Sequence, residues 1–291
     1  MRKVFTITVL MLAINSFAQI PTNGLVGHWP FNGNANDLSN QGNNGVVNGA
    51  LSITDRFGHT NSAYYFDGND DFIQMANPGP LGNTSRSISF WAIVETVNTP
   101  VASSGQTVFS YGSNTAPNPG KRFRIQANRQ CLGMGLEIEE AVFTNYTGIN
   151  STNWNHYCFV FDNSSSTNLS SSITMYINGV LQPTNFCNTY NLNTQINTLN
   201  TEPITIGKSS TLNHPRYFKG SLDDFYVYNR PLNSSEVNHI YNDGLCYENI
   251  TVTDTLVINT NFTGFNPVTF ENTIKIYPNP TNDHITINFG D

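Results

Sequence analysis

The feature that most constrains this chain is a series of short segments in which apolar and polar residues alternate with a period of two, each closed by Gly, Asn, Pro or Ser. Successive side chains of a strand point to opposite faces, so such alternation marks a sheet with one buried side. Ten segments carry it: Gly24–Phe31, Ala63–Phe66, Asp71–Ala76, Ser87–Glu95, Thr107–Tyr111, Arg122–Ala127, Trp154–Asp162, Ile173–Asn178, Ile204–Gly207 and Ser221–Tyr228. Trp29 with Phe31, Phe90, and Tyr157 with Phe159 and Phe161 recur in one phase, which places their rings between two sheets. Asn178-Gly179, directly after an apolar strand, is a hairpin signal, because both residues tolerate the positive φ of a type I′ turn. One helix is expected near the C-terminal side of this body. Asn233 can cap it, Glu236 completes a capping box, and Gly244 can stop it. The fold class that follows is all-β, a two-sheet antiparallel sandwich or jelly roll with one short helix.

Composition narrows the function. Only 11% of residues are charged and the net charge is −7, so polarity comes from amides and hydroxyls. A chain without a basic field has nothing to neutralise phosphates, which excludes nucleic acid as a partner. Residues 1–18 combine Arg2 and Lys3, an apolar stretch and the small-residue ending Ser16-Phe17-Ala18, the build of a secretory signal peptide. No later stretch approaches the length of a spanning segment, so no transmembrane segment is expected once the signal is removed. The expected location is outside the cell or on its outer surface. In an oxidising compartment, Cys131, Cys158, Cys187 and Cys246 are disulfide candidates with open connectivity.

The order GLVGHWPFNGNANDLSNQGNNG (24–45), AYYFDGNDDFIQM (63–75), SISFWAIVE (87–95), WNHYCFVFD (154–162), MYINGVLQ (175–182), ITIGKSS (204–210) and FKGSLDDFYVYNRPLNSSEV (218–237) resembles the laminin-G-like, concanavalin A-like jelly roll of secreted bacterial proteins. The resemblance runs from about Gly24 to Gly244. IKIYPNPTNDHITINF (274–289) resembles the opening of a type A C-terminal sorting domain of type IX secretion, which implies a bacterium of the Bacteroidetes kind. The chain stops at Asp291, before that domain's remaining strands. The expected layout is a signal peptide (1–18), the jelly-roll domain (19–246), a linker (247–273) and an incomplete sorting segment (274–291).

Three kinds of site bear on function. Some jelly rolls of this resemblance are glycoside hydrolases, whose retaining members need two carboxylates about 5 Å apart. Glu137 and Glu139 of GLEIEEAVF would share a strand face, but the family's Glu-Asp-Glu spacing is missing. No serine-nucleophile elbow, zinc helix or phosphate loop occurs, and His156 reads as a packed strand residue. The resemblance also implies a structural calcium ion, Ca2+, and the positions that correspond are Asp37, Asp223 and the carbonyl of Gly68. Tyr111, Tyr146, Tyr190 and Tyr217 lie beside Asn, Ser or Arg in apparent loops and are the ligand-binding candidates. The expected function is a noncatalytic, secreted or surface-displayed module for glycans or surface partners. The alternatives are a hydrolase or lyase carrying Glu137 and Glu139, or a structural spacer of an adhesin.

Overall fold

The computed structural model describes residues 20–95, 105–113, 121–127, 134–137, 152–164, 169–183, 196–210 and 215–242. Fourteen strands and one α-helix follow one another: β1 (Leu25–Trp29), β2 (Gly45–Asn48), β3 (Leu51–Ile53), β4 (Ala63–Asp67), β5 (Phe72–Met75), β6 (Arg86–Val94), β7 (Gln106–Gly112), β8 (Arg122–Ala127), β9 (Met134–Glu137), β10 (Asn155–Phe161), β11 (Ile173–Ile177), β12 (Val180–Gln182), β13 (Glu202–Ile206), β14 (Lys219–Tyr228) and α1 (Ser234–Tyr241). One sheet has the order β12-β11-β10-β6-β14-β4-β3, with β1 also paired to β14. The other has the order β2-β5-β13-β7-β8-β9. Every described pairing is antiparallel. The all-β sandwich expected from the alternation is therefore the observed architecture, with β2, β3, β9 and β12 added to the ten segments read from sequence.

Burying alternate residues of both sheets makes one core. Trp29, Phe31, Phe90, Tyr157, Phe159 and Phe161 all lie in it, as their shared phase requires. Phe225 joins the layers: its ring stacks on Phe90 at 4.8 Å and faces Phe109 of the other sheet at 6.1 Å. Arg86 enters the same interior from the first position of β6 and is fully buried. Its guanidinium donates to the carbonyls of Pro80 (2.6 Å), Gly82 (3.0 Å) and Thr84 (2.8 Å), to Thr198 Oγ1 (2.9 Å) and to Tyr111 Oη (2.7 Å). Phe123 lies 5.1 Å from the guanidinium carbon. Full hydrogen bonding is what makes a buried cation tolerable here.

A second cluster closes the outer side of the first sheet. Leu232, Val237 and Ile240 of the α1 region pack on Cys158, Val160, Tyr176, Tyr226 and Tyr228. The helix starts where expected: Asn233 Oδ1 accepts from Glu236 N (3.0 Å) and Glu236 Oε2 accepts from Asn233 N (2.9 Å). Asn242 forms the C-cap, while Gly244 lies outside the described residues. The turn between β11 and β12 places Asn178 at φ 50° and Gly179 at φ 75°, the positive pair that the Asn-Gly signal implies. Cys158 is buried as a free thiol in this cluster, which corrects the expectation of a disulfide at that position. A thiol sealed among tyrosines and valines packs as a small apolar group. Cys131, Cys187 and Cys246, like the segments expected to be a signal peptide (1–18), a linker (247–273) and a sorting segment (274–291), lie outside the described residues. Among the described residues no helix is long and apolar enough to cross a membrane.

Arg86→Met should cost about 3 kcal/mol or more, because Tyr111 and three carbonyls would lose their buried donor. Arg86→Lys should recover only part of this, since an ammonium cannot reproduce the planar fork. Urea unfolding of the three proteins measures both.

Candidate functional site

With α1 over one face of the first sheet and the core against the other, the outer face of the six-stranded sheet is the remaining face of the sandwich, buried at β7 and β8 and exposed only towards β5 and β2. Its ladders align in one register. An inward rung runs Val47, Ile73, Ile206, Phe109, Ile125 and the position of Leu136. The neighbouring outward rung runs Val46, Gln74, Thr205, Ser110, Arg124 and the position of Glu137. Six strands at their usual spacing make this row about 24 Å long, the span of a short oligosaccharide. One end is open: Val46 is 66% exposed and Gln74 is exposed. The middle is enclosed, with Thr205, Ser110 and Arg124 almost wholly buried.

The enclosed part is a network of hydroxyl and guanidinium groups. Arg124 Nη1 donates to Ser209 Oγ at 3.0 Å, Ser110 Oγ lies 3.0 Å from Ser210 Oγ, and Ser210 Oγ donates to the Ser113 carbonyl at 3.2 Å. Two residues along β8, Gln126 Oε1 is buried with no hydrogen-bond partner among the described residues. At the open end a groove of about 410 Å³ is lined by amides (Asn44, Asn48, Gln74) and by apolar Val46, Phe72 and Pro203. Amides beside an aromatic ring bind both the hydroxyls and the C–H faces of a sugar. A second cleft, of about 480 Å³, lies at the rim beside Gln41, Asn43, Asn77 and Asn229.

Several residues singled out from sequence have other roles. Tyr111 is no ligand platform. It is fully buried on β7, in phase with Phe109, and its hydroxyl donates to the Pro80 carbonyl at 2.9 Å. Tyr217 is half-buried just before β14, and Tyr146 and Tyr190 lie outside the described residues. Glu137 ends the edge strand β9 opposite Arg124, and Glu139 lies outside the described residues. His156 is buried with Nε2 2.7 Å from Ser89 Oγ. Burial, reinforced by Arg56, pushes its pKa down to about 3, so it stays neutral as a packed strand residue.

Asp37, Gly68 and Asp223 stand in three separate settings. Asp37 Oδ1 accepts from His28 N (3.0 Å) and Ser39 N (2.8 Å), and Oδ2 accepts from Asn43 N (2.9 Å). Burial opposes its ionisation, but these bonds outweigh that and hold Asp37 below the usual carboxylate range. The loop thus fixed presents the Asn43 carbonyl to Trp29 Nε1 at 2.9 Å. Asp223 is buried against Arg56, whose Nη1 lies 2.9 Å from Asp223 Oδ2 and 2.6 Å from Asp224 Oδ2. The expected cation position is therefore filled by a guanidinium, which also lies over the Trp91 ring at 4.5 Å. Gly68 instead belongs to the β4–β5 turn, where Asp67, Asp70 and Asp71 offer oxygens within 4.8 Å of one another. That triad could hold a metal ion, and its oxygen-only donors suit a hard cation. Burial first, then Asp67 and Asp70, raise the pKa of Asp71.

A family model described as the concanavalin A-like lectin/glucanases superfamily matches residues 67–238, more than half of the chain. The chain belongs to this superfamily. Among solved structures, the fourth domain of an extracellular arabinanase from Geobacillus stearothermophilus, in complex with arabinotriose, is 19% identical with a TM-score of 0.49. That match covers 75% of this chain and 98% of that domain. The binding domain of Paraclostridial Mosquitocidal Protein 1 is also 19% identical, with a TM-score of 0.49, covering 76% of this chain and 52% of that one. Trypanosoma rangeli sialidase in complex with sialic acid is 15% identical, with a TM-score of 0.52, over 76% of this chain but only 33% of its own. This chain thus spans about a third of the sialidase chain. No curated protein matches the chain.

None of Gln74, Thr205, Ser110 and Arg124 stands out as a motif. The signal that could have found them is the polar phase of FIQM, ITIG and RFRIQA, whose apolar phase builds the core.

The Arg56 cluster gives a pH dependence. One guanidinium faces two carboxylates, and burial together with Asp224 raises the pKa of Asp223 to about 8. The folded protein then holds this proton more tightly than the unfolded chain does. The stability contributed by Asp223 should be complete below about pH 4 and be lost as pH rises towards 8. The urea midpoint should fall between pH 5 and pH 8, and Asp223→Asn should flatten that slope.

Proposed function

We propose that this chain is a noncatalytic saccharide-binding module, exported and displayed on or released from the cell surface. The observation that carries the reading is the groove at the open end of the outward rung, where Asn44, Asn48 and Gln74 stand beside Phe72, Val46 and Pro203. Thr205, Ser110 and Arg124, next along the rung, are buried in the network behind it. Membership of a lectin and glucanase superfamily supports the same chemistry. Catalysis by the retaining route would need a second carboxylate beside the position of Glu137, and the described part of the face supplies none. The leader-like residues 1–18 and the Tyr277-Pro278-Asn279-Pro280 segment support export through a type IX route.

On a glycan array the purified protein should bind a defined subset of oligosaccharides and release no reducing ends from them. Gln74→Ala, at the open end, should weaken binding about fivefold, the worth of one hydrogen bond of roughly 1 kcal/mol. Absence of any glycan binding would overturn the reading, and cleavage abolished by Glu137→Gln would replace it with a hydrolase.

We assign calcium to the Asp67–Asp70–Asp71 triad in place of the expected Asp37–Asp223 pair. Calcium at millimolar concentration should raise Tm relative to EDTA, and Asp70→Asn should remove that difference while Asp37→Asn should not. An unchanged Tm would rule the site out.

A further inference from the structure

Beside the open end of the polar face stands a cation with no ion-pair partner among the described residues. Lys208 follows β13, and its Nζ lies 3.4 Å from the centroid of the Phe72 ring. Among the described residues no carboxylate comes within ion-pairing distance of it and no hydrogen bond engages it. Burial lowers its pKa, and Glu202 pulls the other way without pairing. The ring that holds this ammonium is the same ring that lines the groove beside Asn48, Gln74, Val46 and Pro203. An ammonium against an aromatic face is attracted by the ring quadrupole, but far less than by a carboxylate. It is therefore held in place, half desolvated and ready to pair. The surrounding charge makes the position unusual, since the chain as a whole is net −7 and would repel an anion elsewhere.

We infer that the groove, together with the Lys208 ammonium against its Phe72 wall, recognises an acidic saccharide, a uronic acid whose carboxylate reaches past the ring to pair with Lys208 while Asn48 and Gln74 bond its hydroxyls and Phe72 and Val46 meet its C–H face. This deepens the saccharide-binding reading and rests on it: the amides of the groove provide general affinity for sugars, and Lys208 selects the charged ones. No covalent step is involved. The affinity is an ion pair at a partly desolvated position, so it should weaken with salt.

The test is calorimetric titration of the full chain with an oligogalacturonide, with its methyl ester and with a neutral oligosaccharide of equal length. The acid should bind at least about tenfold more tightly than its ester, the worth of one charge-assisted hydrogen bond. Lys208→Gln should abolish that preference while leaving the ester's affinity unchanged, and Lys208→Arg should keep it. Should Lys208→Gln fold poorly, the salt dependence of the unaltered protein decides instead. Affinity for the acid should fall between 50 mM and 500 mM salt, and affinity for the ester should not. Equal affinity for acid and ester, or a preference indifferent to salt and to Lys208→Gln, would overturn the inference and leave saccharide binding intact. Binding of none of the three probes, together with an empty glycan array, would overturn both.

Discussion

The structure depends on one contact line through its middle, from Phe90 to Phe225 to Phe109. Two of these rings belong to the larger sheet and the third to the smaller, so the stack is what clamps the layers together. Each fully buried ring contributes about 2–3 kcal/mol of apolar burial, and the stacked geometry adds somewhat to that. Around it the inward rungs of both sheets interdigitate, and their register is set by this demand. A one-residue slip of any strand would turn its apolar phase outward. The outward rung of the smaller sheet is therefore aligned because the inward rung beside it must be aligned. The candidate ligand face is a consequence of core packing.

The two faces of the sandwich were given different fates by the residues after β14. Leu232, Val237 and Ile240 close the larger sheet with a second apolar cluster, and that closure relies on a helix whose first turn is held by Asn233 and Glu236. The smaller sheet keeps polar groups outward. Cations mark both ends of this division. Arg86 is a structural plug satisfied by carbonyls and a tyrosine, and Arg56 is held between two aspartates. Among the described residues, Lys208 meets an aromatic ring and no ion-pair partner. The contrast among the three separates a cation used to hold the fold from one left available.

Much of the architecture was legible in the alternation alone. The inward rings, the Asn178-Gly179 turn and the capped helix stand where local chemistry puts them, because each rests on neighbours close in sequence. Four short edge strands, β2, β3, β9 and β12, escaped, since three or four residues carry too little periodicity to be told from a loop. Tyr111 was misread for a related reason: Ser110 and Gly112 look like turn residues, but on a strand they are merely the opposite phase. Asp223 resembled a calcium ligand, and nothing local announces that Arg56, 167 residues away in sequence, reaches it first.

By itself, then, the sequence determined the fold class, the phase of each long strand and the charge regime, because these follow from periodicity and composition. Which polar residues share a face was decided only by tertiary structure. Gln74, Thr205, Ser110 and Arg124 are distant in the chain and become neighbours through the order β5-β13-β7-β8. Pairing between non-consecutive strands is a long-range choice made by core packing. No local pattern along the chain encodes it.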